Sequence, residues 1–316
     1  MGQIRTTVLL GALMGLFMAV GFWIGGESGM FMAFLLAAGM NFFAYWNGDR
    51  MVLSMYGARE VDAATAPQLV RLVGELAAKA GLPMPRVYII ESEQPNAFAT
   101  GRNPEHAAVA ATTGILQRLT RDELAGVLGH ELTHVKNRDT MTMTIAATIA
   151  GAIGMLAHFA FFFGPSRDDE RGSPFGAVGA IAMMILAPLA ATLVQLAISR
   201  TREFEADRGG AAISGNPLGL AHALAKLEQS SQEVPNWQAE RHPATAHLFI
   251  VNPLSGSGLQ SLFSTHPSTE QRIERLEEIA RSMGPRAGHA AALPPQGRSG
   301  TVPSAGSVPR RSGPWG

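Results

Sequence analysis

His130-Glu131-Leu132-Thr133-His134 lies in a run that opens at Thr120-Arg121-Asp122-Glu123 and reads as a helix continuing unbroken towards residue 163. The Thr120 and Glu123 pair is a capping box, in which side chains satisfy the orphan amides of a helix start. Two histidines four apart share one helix face, so both imidazoles can hold a single metal ion. Glu131 lies one step further, about 100° round the helix. It can take a proton from water at the ion without being a ligand. The chain has 9 His among 316 residues, so a chance match to this pattern is rare. The plain alternative, a solvated helix face with two incidental histidines, is disfavoured for that reason.

There are no cysteines. This excludes a disulfide scaffold, an iron–sulfur cluster and a thiol nucleophile. A catalytic ion keeps three protein ligands, so the third must be His or carboxylate. Residues 199–208 supply the candidate. Glu203 and Asp207 are four apart on one helix face. Glu203 can ligate, while Asp207 accepts a hydrogen bond from a ligand histidine, which orients the ring and raises its basicity. The alternative is that Glu203 is a surface acid paired with Arg202 or Arg208. Two histidines and a glutamate suit zinc best among divalent ions.

Composition places this centre at a membrane. Hydrophobic residues are 47% and charged residues 16%, with mean hydropathy +0.11. Net charge is +0, against nucleic-acid binding. Four apolar runs, 7–24, 29–46, 141–163 and 176–198, are long enough to span a bilayer. Residues 25–28 and 166–174 are the polar turns within each pair. A cleaved signal is disfavoured for the first run, since the second follows at once. The paired spans bring His134 and Glu203 to a similar height, roughly 8–10 Å above the membrane at the helical rise. His158 is the ionisable residue inside a span, either functional or a neutral His facing the bundle, and Pro188 reads as a kink. Arg5, Arg50, Lys136, Arg138, Arg200 and Arg202 flank one side, against Arg167 and Arg171 beside three acids. That asymmetry predicts cytoplasmic termini and soluble stretches.

The soluble parts are 47–140 and 199–284. The first has a helix over 67–79, a strand at 86–90 and a hairpin formed by 96–100 and 107–112; the second is mostly helical. Residues 285–316 lack large apolar side chains and read as a disordered tail. The residues alone thus describe a metallohydrolase at a membrane surface.

Gly129–Thr140 resembles the zinc signature of the HtpX family of bacterial membrane metalloproteases, and Arg202–Asp207 resembles its downstream ligand motif. Asn96–Gly101 and Phe263–Ser268 are similar to further family blocks, and the likeness extends over about residues 1–283. The CAAX prenyl proteases are similar but more distant. The resemblance implies a mainly α membrane protein: four transmembrane helices in two pairs (1–46 and 141–198), a cytoplasmic α+β zincin-like protease domain in two parts, and the tail. It implies a gluzincin-type endopeptidase with one zinc ion on His130, His134 and Glu203, and Glu131 as base. Its substrates would be misfolded membrane proteins and unfolded polypeptides, in quality control at the bacterial inner membrane. The competing reading is a membrane scaffold with a structural zinc, which the lack of Cys opposes.

Three supporting roles follow. His266 is the candidate second electrophile for the developing oxyanion, or else a helix-start His before Pro267. Arg272 either pairs with Asp207 or decorates a solvated helix face. Strand 107–112 is either an edge that binds substrate backbone or a core strand. His106, His222, His242, His247 and His289 have no partner spacing.

Overall fold

The computed structural model describes residues 2–145, 200–233, 248–251 and 267–283. The third and fourth expected spans beyond residue 145, the link at 166–174, His158, Pro188, His242, His247, His266, His289 and the tail lie outside the described residues.

Helix α1 covers Gly2–Met55 and breaks at Gly25 and Gly26. Gly26 has φ 59° and ψ −144°, a conformation open essentially to glycine alone. The two arms then fold back so closely that a Cβ at Gly21 or Gly29 would strike the other's carbonyl. This is the turn expected at 25–28. The second arm runs past Trp46, where the expected span ends. The stretch Gly25–Met55 contains an 18-residue window of mean hydropathy 1.4 and is the one helix among the described residues long and apolar enough to cross a membrane. Phe31, Met32, Leu36 and Phe42 are each more than half exposed along it. Its last turns pack instead against the part of the chain beyond residue 55, where Val52 and Leu53 are buried.

That part is built on a mixed four-stranded sheet. Strands β1 (Arg59–Val61), β2 (Arg86–Ile90), β3 (Ala97–Thr100) and β4 (Ala108–Thr112) take the order β1-β2-β4-β3. Only β2 and β4 run parallel. Strand side chains alternate between faces, and here both faces are covered. Val87, Ala97, Ala99, Val109 and Ala111 join one core with helix α2 (Pro67–Ala80). Tyr88, Phe98, Ala108 and Ala110 join another with the end of α1, Met143 and Phe249. Burial on both sides explains the apolar run Ala108-Val109-Ala110-Ala111. The α2 stripe Leu69, Leu72, Val73, Leu76 and Ala80 is the one that the periodicity predicts. Strand β4 pairs with β2 and β3, so the edge role weighed for 107–112 is corrected: its backbone hydrogen bonds are taken on both sides, and β3 is the edge.

After α3 (Thr113–Arg118), helix α4 spans Arg121–Lys136 with the capping box formed. Glu123 Oε2 accepts from Thr120 N–H at 2.9 Å. The expectation of an unbroken helix towards 163 is also corrected. Arg138 has φ 60°, and Arg138 N–H turns back to Val135 O at 3.1 Å. A left-handed residue ends the α-helical ladder; helical turns resume over 139–145. Helices α5 (Arg200–Ser214), α6 (Pro217–Glu233) and α7 (Thr269–Met283) complete the described part. Helices α4 and α5 meet almost backbone to backbone. A Cβ at Gly210 would lie 2.7 Å from His130 N, and one at Gly129 2.9 Å from Gly210 O. These glycines let the metal-motif face of α4 reach the acids of α5.

Candidate metal centre

Helical spacing carries His130 and His134 to one side of α4, and α5 brings Glu203 opposite. His130 Nε2 is 3.2 Å from His134 Nε2 and 3.7 Å from Glu203 Oε2; His134 Nε2 is 3.6 Å from Glu203 Oε1. The three ligand atoms all lie within 4.8 Å of one another. Tetrahedral ligation at zinc bond lengths separates ligand atoms by about 3.4 Å, so the set fits such an ion. All three residues are buried. Burying that much lone-pair density without a cation is unfavourable, which also fits.

The other ring nitrogens have acidic partners. His130 Nδ1–H donates to Asp207 Oδ1 at 2.9 Å, which leaves Nε2 as a lone pair facing the centre. Asp207 is gripped by Arg272 through Nη2 at 2.6 Å and Nε at 2.8 Å. Of the two readings of Arg272, the structure has the pairing, with the side chain 1% exposed. Burial acts to raise the Asp207 carboxyl, but the Arg272 guanidinium outweighs it and holds it below the usual range. Burial lowers His130 despite Asp207.

His134 Nδ1 faces Asp139 Oδ2 at 3.4 Å, and Arg202 Nη1 reaches Asp139 Oδ1 at 3.3 Å. Burial acts to lower His134, but Asp139, Glu203 and Glu131 together push it up to about 9. This excess of carboxylate draws a positive charge to the place where the ligand atoms converge. Glu131 Oε2 accepts from Ala99 N–H of β3 at 2.9 Å. Burial pushes the Glu131 carboxyl up to about 7. The edge strand therefore holds the side chain that stands beside the ligands.

Among the described site residues, the structure brings together His130, Glu131, His134, Glu203, Asp207 and Arg272; His266 lies outside them. His106 bonds only to Asn103, away from the centre. Sequence reasoning missed Asp139, although it lies in the stretch 129–140 that carries the family likeness. In a continuous helix, residue 139 would stand five on from His134 and off its face. Only the turn at Arg138 brings it back. Residues 248–251 were also missed. Leu248, Phe249 and Ile250 line the centre with Phe98, Ala99 and Met143, leaving room for about one water molecule.

The chain is similar to known proteins in two respects. The model of peptidase family M48 matches residues 63–280, more than half of the chain. Among solved structures, Ste24p of S. mikatae is similar at 17% identity with TM-score 0.49. The match covers 87% of this chain and 65% of that one, so the chain spans just under two thirds of that protein's length.

Proposed function

The chain belongs to peptidase family M48; from that premise we propose that it is a zinc metalloendopeptidase of the membrane surface. The observation that carries this is the convergence of His130, His134 and Glu203 within 4.8 Å, with Glu131 adjacent. When bound, the ion supplies Lewis acidity, polarising the scissile carbonyl and acidifying water.

The chain's own groups do the rest. Glu131, steadied by Ala99 N–H, takes the proton of the attacking water and delivers it to the leaving amine. Asp207 and Asp139 hold the imidazoles so that both Nε2 atoms face inward. His266 donates a hydrogen bond to the developing oxyanion.

Its substrates are misfolded membrane proteins and unfolded polypeptides, cleaved at the cytoplasmic face of a bacterial inner membrane that the chain crosses four times. Support for membrane proximity comes from α1. The ring of Tyr56, just beyond the apolar helix, lies 5.6 Å from Phe98 and 5.9 Å from Phe249, and both of these line the centre. The test is metal analysis of the purified protein beside a proteolysis assay in proteoliposomes. Zinc near one per chain, cleavage lost on chelation and cleavage regained with zinc are expected. Cleavage that survives full metal removal overturns the reading.

A further inference from the structure

The centre as it stands has no room for a polypeptide. Only about 10 Å³ there is open to the centre of a water molecule, room for about one water. What fills the approach is a short stretch of the chain itself. Leu248, Phe249, Ile250 and Val251 are each under a tenth exposed, four apolar residues in a row.

They are held at both the main chain and the side chains. Ile250 N–H donates to Asn96 Oδ1 at 3.4 Å, and Ile250 O accepts from Arg272 Nη1 at 2.6 Å. The Phe249 ring lies edge-on to Tyr56. Asn96 immediately precedes β3, a buried edge strand of the sheet, and Phe98 and Ala99 of β3 share the cavity wall with Leu248–Ile250. An extended peptide that adds to a sheet must reach such an edge. Here the chain's own residues cover it.

We infer that Leu248–Val251 is an internal occupant of the substrate cleft, displaced by an apolar run of unfolded polypeptide that takes its place. This rests on the peptidase reading of the same centre and names the substrate class: main chain with an amide and a carbonyl to offer Asn96 and Arg272, and apolar side chains to set against Phe98 and Met143. The two main-chain contacts are unequal. The Asn96 bond is long, whereas the Arg272 bond is short and charge-assisted. Release therefore begins at the Asn96 side. Because substrate competes with a tethered segment, its apparent affinity falls by the fraction of molecules that are closed. Folded proteins bury their apolar runs and cannot compete, so selectivity for unfolded chains follows from the occupant.

The natural absence of cysteine makes the test direct. Ile250→Cys gives a single thiol in the occupant, Met143→Cys gives one in the cavity wall beneath it with both main-chain contacts of the segment kept, and Arg281→Cys gives an exposed reference. Each is labelled with a maleimide in the zinc-loaded full chain. Both buried thiols are expected to react at least about tenfold more slowly than the reference, as groups reached only by local opening do. A saturating cysteine-free unfolded polypeptide rich in apolar runs is expected to accelerate both. A polar polypeptide of equal length is not. Labelling at position 143 as fast as the reference overturns the inference, since the segment would not be filling the cleft. So does slow labelling that the apolar polypeptide leaves unchanged, whether or not the wild-type chain cleaves it. A wild-type chain that cleaves nothing strikes the peptidase reading instead, and labelling still decides the occupant.

Discussion

Behind each of the two histidines stands an aspartate held by an arginine, and the two braces are not alike. Asp207 and Arg272 behind His130 are tight, with contacts of 2.9, 2.6 and 2.8 Å. Asp139 and Arg202 behind His134 are looser, at 3.4 and 3.3 Å. The tight brace joins α5 to α7 and grips Ile250 O as well. In the loose one Asp139 meets His134 across the turn after α4, and its arginine comes from α5. Strength and charge then go opposite ways. Arg272 and Asp207 largely cancel each other, so burial wins at His130 and its pKa falls. At His134 three carboxylates outweigh burial and push it up to about 9. The firm brace fixes a neutral ligand ring; the loose one leaves its ring in an acidic field that favours a cation.

The comparison breaks at once if the two histidines do not serve one ion beside one base. Glu131→Gln is expected to keep the metal and both braces while cleavage falls by about 10²–10⁴-fold, because only proton transfer is lost. Metal content and proteolysis measured on the same preparation check this. Turnover within tenfold of the parent would put the base elsewhere.

The difference in strength is sharpened by removing each arginine. Arg272→Ala leaves Asp207 as a buried carboxylate without its main partner, and breaking a buried pair in that way costs about 3–5 kcal/mol. Arg202→Ala removes a 3.3 Å contact and is expected to cost less than half as much. Denaturant midpoints of the two variants in one detergent give the ranking. Equal losses would mean that the shorter distances at Arg272 carry no extra stability.

The tight brace was largely legible in the sequence, and the loose one was not. His130, His134, Glu203 and Asp207 are readable because i, i+4 spacing is local and a helix keeps it. Arg272 could be named as a partner but not chosen over a solvated Arg, since nothing local places α7 against α5. Asp139 was hidden because the helix pattern continues through it, while the break depends on Arg138 adopting φ 60°. The pattern Ala108–Ala111 suggested a strand but could not say whether it was edge or centre, because order within a sheet is set by distant pairing. The close approach of Gly129 to Gly210 is likewise a tertiary fact.

The second ranking concerns the ion. Asp207→Asn keeps a group near Nδ1 but removes the charge that orients His130, and such changes cost about 10–100-fold in metal affinity. Asp139→Asn, at the longer contact, is expected to cost less than about tenfold. Competition with a chelator of known affinity measures both. A larger loss at Asp139 would reverse the comparison and make the acidic field at His134 the stronger determinant of binding.

The smallest effect belongs to the turn that makes the loose brace possible. Arg138 lies in the left-handed region, which costs an ordinary residue roughly 1–2 kcal/mol. Glycine adopts it freely but loses about 0.5–1 kcal/mol more backbone entropy on folding. Arg138→Gly is therefore expected to be neutral or to stabilise by up to about 1 kcal/mol. Metal affinity should not change, because Asp139 stays where the turn puts it, and Thr140 Oγ1 still donates to Gly101 O. Arg138→Ala offers the contrast: it loses the long side chain, keeps the strain and gains nothing. If Arg138→Gly instead lowers both stability and metal affinity, the Arg138 side chain, and not its backbone conformation, is what holds Asp139 behind His134.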